Sequence, residues 1–110
     1  MSAATRLRRI HESAEIIVIE RGGAVSFANC GLPYHVGGVI PHRGSLVLQQ
    51  PEQLKKRFNI DVHLRTEATA INRDDKTVSV TDLATGDTRD ISYDALVLSP
   101  GSTPFRPPIP

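Results

Sequence analysis

The sequence predicts an α/β protein in which a parallel sheet carries a three-stranded antiparallel insert, and three observations point there. Ile16-Ile17-Val18-Ile19 is an unbroken β-branched run, the composition of a strand covered on both faces of a parallel sheet. Helical patterns over Ser2–Glu12 and Pro51–Phe58 each precede a strand pattern. Between 68 and 93, short strand-like runs alternate with turn sequences, as a meander requires.

Each element has its own reason. In the first helix Ala3, Ala4, Leu7 and Ile10 recur at helical spacing, but no capping residue precedes it. Glu15–Glu20 reads as a buried strand that Arg21-Gly22-Gly23 stops. This opening is the back half of a βαβ unit, so the expected domain is partial: its first strand and glycine-rich turn are missing, which leaves unpaired strand edges. Ser26–Pro41, rich in Gly, Asn and Pro, reads as a loop with a short helix over Leu32–Val36. Pro51 suits the first turn of the next helix, and Ile60–Leu64 is a short strand. Ala68–Asn72, Thr77–Thr81 and Asp90–Tyr93 form the meander, separated by turns at 72–76 and 84–87. Tyr93–Leu98 returns to a buried apolar strand, ended by Ser99-Pro100-Gly101, and the prolines of 104–110 read as the start of an interdomain linker.

Composition excludes several function classes. A length of 110 residues suits one domain with a modest core. The net charge of +1 points to no partner class, neither attracting nor excluding nucleic acid. With no Trp, two Tyr and three Phe a stacking platform for bases is not expected, and no nucleic-acid partner is expected. No apolar run approaches the ~20 residues that span a membrane, and the arginines near Met1 are not followed by a secretory core. The single cysteine cannot form an internal disulfide, so a reducing cytoplasm is the expected location. His11, His35, His42 and His63 are scattered without ligand spacing around Cys30, and no metal site is expected.

Chemistry concentrates in Ser26-Phe27-Ala28-Asn29-Cys30-Gly31-Leu32-Pro33-Tyr34. Cys30 stands before a glycine that can open a short helix, whose positive end favours the nucleophilic thiolate. Gly31 would permit close approach of a flat partner, and Asn29 offers a donor and an acceptor beside the sulfur. Tyr34 is expected to pack behind this loop. On these residues alone, an inert buried thiol and a reactive one both stand.

The segment resembles the active-site motif of coenzyme A-disulfide reductases and persulfide reductases, which belong to the FAD-dependent pyridine nucleotide-disulfide oxidoreductases. Three flanking stretches resemble the same family. Ser2–Arg9 is similar to the helix after its glycine-rich loop, Ile16–Glu20 with Arg21 to its second strand, and Ala95–Pro104 to the motif closing its FAD domain. The resemblance implies a partial FAD/NAD(P)-binding Rossmann-like domain over 1–103. It also implies that FAD is held by Glu20 at the ribose, Arg21 at the adenine or pyrophosphate, and Ala68 and Thr69 through backbone groups. Asn29, Cys30, Ser99, Pro100 and Gly101 then lie toward the flavin. Cys30 is the implied redox cysteine, forming a mixed disulfide with coenzyme A that is reduced by electrons from NAD(P)H through FAD. The nicotinamide nucleotide binds a domain absent from this chain. Ser26, Phe27, Asn29 and Arg9 match coenzyme A-holding positions, with Ser2 and Arg6 beside them. A lysine that the family often carries near Phe58 is missing, although Lys55, Lys56 and Arg57 are close. The implied parent is a homodimer acting on coenzyme A disulfide or persulfide. Two alternatives stay open: an NADH oxidase or peroxidase of the same superfamily, cycling a sulfenic acid on Cys30, and a non-catalytic truncated product.

Overall fold

The computed structural model describes residues 1–109; Pro110, the last residue of the expected linker, lies outside them. Helix α1 spans Ser2–Ile10, without a side-chain cap, and stops where His11 turns extended, short of the expected Glu12. The β-branched run supplies β1 (Ile17–Ile19). Next come β2 (Ser26–Phe27), α2 (Leu32–Val36), β3 (Val47–Gln49) and α3 (Pro51–Phe58). β4 (Asp61–His63) then pairs in parallel with β1, Ile17 opposite Asp61 and Ile19 opposite His63. The meander is β5 (Thr66–Asn72), β6 (Thr77–Asp82) and β7 (Thr88–Ser92), antiparallel throughout. Its outer strands start earlier than the alternation suggested.

The parallel pair is held by a small core of Ile16, Leu54 and Ile60, against which Ala4, Ala14, Val18, Val25, Phe58 and Val62 pack. Pro51 pre-sets the first turn of α3, and Gln50 and Gln53 close a reciprocal capping box there. The helix ends because Asn59 adopts the left-handed region at φ 49°, a conformation Asn tolerates. That turn delivers Ile60 into the core and Asp61 into the sheet.

One side chain joins α1 to this unit. The Arg8 guanidinium donates through Nε to Phe58 O at 2.7 Å, and through Nη2 to Ala14 O at 2.6 Å and Asn59 O at 2.9 Å. Its Nη1 donates to the carbonyls of His11 and Glu12. Such helix-end carbonyls lack intrahelical partners, and a cation there also meets the negative end of the helix dipole. Arg8→Ala leaves several of these oxygens unpaired at a half-buried site. The expected loss is about 2 kcal/mol of folding stability, the scale of charge-assisted hydrogen bonds, measured by urea unfolding against the parent chain.

Two expectations are corrected. Tyr93–Leu98 is not a buried strand: it pairs with no strand among the described residues, and Val97 and Leu98 are 70% and 67% exposed. An apolar run records the potential for burial, whereas a strand also needs a neighbouring ladder. Conversely, β2, inside the stretch read as loop, pairs antiparallel with β3, for which no element was expected (Ser26 with Gln49, Phe27 with Val47). A ladder this short carries no legible period. Among the described residues, no helix is long and apolar enough to cross a membrane.

Candidate functional site

Two groups of predicted residues can be followed separately. The first gathers at the carboxyl end of β1, the edge of a parallel sheet where nucleotides bind. Glu20 directly follows the strand and extends its ladder: its N–H donates to His63 O at 2.9 Å, and its carbonyl accepts from Thr66 N–H at 3.1 Å. Its half-buried carboxylate turns back onto the loop, where Oε1 accepts from Gly22 N–H at 2.6 Å. A Cβ on Gly22 would stand 2.8 Å from that oxygen, so only glycine leaves the carboxylate this position. The second carboxylate oxygen has no hydrogen-bond partner among the described residues.

Arg21 points to β5, with Nη1 at 3.4 Å from Glu67 Oε1 and both side chains largely in water. Such an exposed pair contributes about 0.5 kcal/mol or less. Ala68 and Thr69 lie on the same strand. The pairing steps from Ala68–Val80 to Ala70–Ser79, which makes Thr69 the extra residue of a β-bulge. Bulges take backbone groups out of the ladder and frequently border ligand sites. The Thr69 hydroxyl donates to Ser79 O at 3.2 Å. Glu20, Arg21 and the start of β5 are therefore one assembly. Ser99, Pro100 and Gly101 are exposed, and among the described residues no hydrogen bond ties them to it.

Tested against FAD, the first assembly fits an adenosine end. It presents a carboxylate oxygen free to accept from ribose hydroxyls at a strand terminus, and beside it a bulged backbone able to meet a base edge.

The second group surrounds the thiol. Cys30 sits in a 3-10 turn, Asn29–Gly31, between β2 and α2. The turn is closed by Gly31 N–H donating to Ala28 O at 3.0 Å, and is anchored by Ala28 N–H donating to Leu46 O at 2.8 Å. Cys30 is a free, exposed cysteine, and Asn29 beside it is also exposed. The thiol is therefore not buried within the described residues. Ser26 and Phe27, on β2 just before the turn, are half-buried.

Two readings around this turn are corrected. Gly31 is buried rather than open to a flat partner; a Cβ there would meet Leu46 Cδ2 at 2.5 Å. Its missing side chain makes room for packing inside the protein. Tyr34 does not pack behind the loop but is 59% exposed. Its carbonyl does the holding, accepting from Val39 N–H at 2.9 Å and Ile40 N–H at 3.1 Å. His35 Nδ1 lies 2.7 Å from Ile40 O, an acceptor, so the proton belongs on Nδ1.

Ser2, Arg6 and Arg9 are exposed on α1; unlike Arg8, neither Arg6 nor Arg9 has a partner among the described residues. Lys55, near the position of the missing lysine, pairs with Asp61 at 2.7 Å. Sequence reasoning missed Arg8, Gly22, Leu46 and Glu67. Arg8 was not separated from the other arginines near Met1, Gly22 was read only as a strand stop, and Leu46 and Glu67 act through contacts distant in sequence.

The family model for pyridine nucleotide-disulphide oxidoreductases matches residues 1–110. An NADH oxidase from Enterococcus faecalis is 40% identical over 109 residues, which cover 99% of this chain and 24% of that protein. A coenzyme A disulfide reductase from Staphylococcus haemolyticus is 38% identical over 101 residues, 92% of this chain and 23% of that protein. The solved structure of reduced CoADR-RHD from Bacillus anthracis superposes with a TM-score of 0.92 at 49% identity, covering 99% of this chain and 20% of that one. The chain thus spans about a quarter of the relatives' own length. On the match along its entire length, this chain belongs to the pyridine nucleotide-disulphide oxidoreductase family.

Proposed function

We propose that this chain is the FAD-binding part of a NAD(P)H-dependent reductase of coenzyme A disulfide, with Cys30 as the sulfur that exchanges with substrate. The observation that carries the reading is the position of Cys30: a free thiol, exposed, on a tight turn that opens a short helix. In that role the Cys30 thiolate attacks one sulfur of the substrate disulfide, forming a mixed disulfide and releasing one coenzyme A thiolate. Two electrons from the nicotinamide then cleave the mixed disulfide, regenerating the Cys30 thiolate and freeing the second coenzyme A. Glu20, Arg21, Ala68 and Thr69 would hold the adenosine end of FAD and Asn29, Cys30 and Ser99–Gly101 would serve its flavin end; bound there, the cofactor would supply that two-electron transfer. Arg6 and Arg9, unpaired among the described residues and on one helix side, suit the substrate's phosphates, with Ser2, Ser26, Phe27 and Asn29 as further contacts. A coenzyme A persulfide presents the same S–S bond to Cys30 and is the closest chemical variant. The reading carries with it a cytoplasmic homodimer.

A second reading, reduction of oxygen or peroxide through a Cys30 sulfenic acid, is favoured by the 40% identity to an NADH oxidase. The two separate in one experiment. In the full-length protein supplied with NADH or NADPH, turnover of coenzyme A disulfide under argon is expected to exceed oxygen consumption in air by about tenfold or more, a discrimination worth about 1.4 kcal/mol. Oxygen or peroxide turnover exceeding disulfide turnover reverses the order.

A further inference from the structure

The Cys30 side chain makes no hydrogen bond among the described residues and is exposed. Its location is therefore set by the turn beneath it, and that turn is set by another segment. Leu46, at the end of a short 3-10 turn before β3, is 1% exposed. It grips the thiol turn twice. Its carbonyl accepts from Ala28 N–H at 2.8 Å, and its Cδ2 occupies the notch where Gly31 lacks a side chain. Ile40 Cδ1 and Ala28 Cβ line the same notch. Neither grip depends on the atoms of Cys30 itself.

We propose that Leu46 is the positioning residue for Cys30, and that the Gly31 notch exists to receive it. The kinetic part of this inference rests on the reading of Cys30 as the exchanging sulfur; the packing part does not. Removing the Leu46 side chain empties the notch, and filling the notch from Gly31 expels Leu46. Either change tilts or loosens the turn, and a displacement of about 1 Å at a reacting atom can cost up to about a hundredfold in rate.

The test uses the full-length protein and the variants Leu46→Ala, Gly31→Ala, Gly31→Ala/Leu46→Ala and Leu46→Met. Two quantities are read: the rate of Cys30 alkylation by iodoacetamide as a function of pH, and kcat and KM for disulfide reduction. Each of the first two variants is expected to lower kcat about tenfold with little change in nicotinamide KM, and to displace the alkylation profile. The double variant, whose added methyl refills part of the notch, recovers most of both losses. Leu46→Met, which conserves volume, stays close to the parent. If the variants only lower the melting temperature, leaving the alkylation profile and kcat of folded protein unchanged, Leu46 is merely structural and the proposal falls. Failure of the double variant to recover either quantity also overturns it. Should Cys30→Ser retain full disulfide turnover, the redox role fails by itself. The alkylation profiles of the same variants then still decide whether Leu46 sets Cys30.

Discussion

Cys30→Ser in the full-length protein is expected to lower disulfide-reduction kcat by at least about a thousandfold, the scale on which removal of a nucleophile acts. A serine hydroxyl is not ionised near neutrality and forms no bond equivalent to the mixed disulfide. The loss should be purely chemical. The Cys30 thiol is exposed and without a hydrogen-bond partner among the described residues, so the substitution removes no side-chain contact the fold uses. The unfolding midpoint and flavin content are expected to match the parent, and stopped-flow absorbance should still record flavin reduction by the nicotinamide. A variant that lost flavin, or that unfolded early, would instead assign Cys30 a structural duty.

Glu20→Ala is expected to weaken FAD binding about a hundredfold, which is about 2.7 kcal/mol and matches the loss of one or two hydrogen bonds to a charged acceptor. One carboxylate oxygen at the carboxyl end of β1 has no partner among the described residues, and the Gly22 N–H fixes the other. Glu20→Gln keeps one acceptor and loses the charge, so it should fall between the two. Fluorescence titration of apoprotein with FAD measures all three. Gly22→Ala supplies an internal control: the added Cβ, 2.8 Å from Glu20 Oε1, should weaken binding while leaving the carboxylate present.

What could be read from the sequence follows the physical range of each signal. The β-branched run at 16–19 marked β1, and Pro51 marked the start of α3, because burial and proline geometry are written locally. The meander was legible from its turns. Ser26–Tyr34 stood out through its resemblance to a family motif; on its residues alone an inert thiol and a reactive one both stood. Tyr93–Leu98 misled because apolar content carries no information about a pairing partner. Gly31 misled for a related reason: a glycine announces that something approaches closely, but not whether a ligand or, as here, Leu46 does so. Arg8 was hidden by its neighbours Arg6 and Arg9. Only the return of α3 to the end of α1 distinguishes the arginine that holds carbonyls from those left in solvent.

The account turns on the sulfur of Cys30 becoming covalently linked to substrate during turnover. The direct measurement is mass spectrometry of the Cys30 peptide from full-length protein, quenched with acid after mixing with coenzyme A disulfide and again after nicotinamide is added. The account predicts a peptide carrying one coenzyme A in the first sample and a free thiol in the second, with two coenzyme A molecules released for each disulfide consumed. Steady reduction of coenzyme A disulfide, while the Cys30 peptide stays unmodified at every time point, would contradict it.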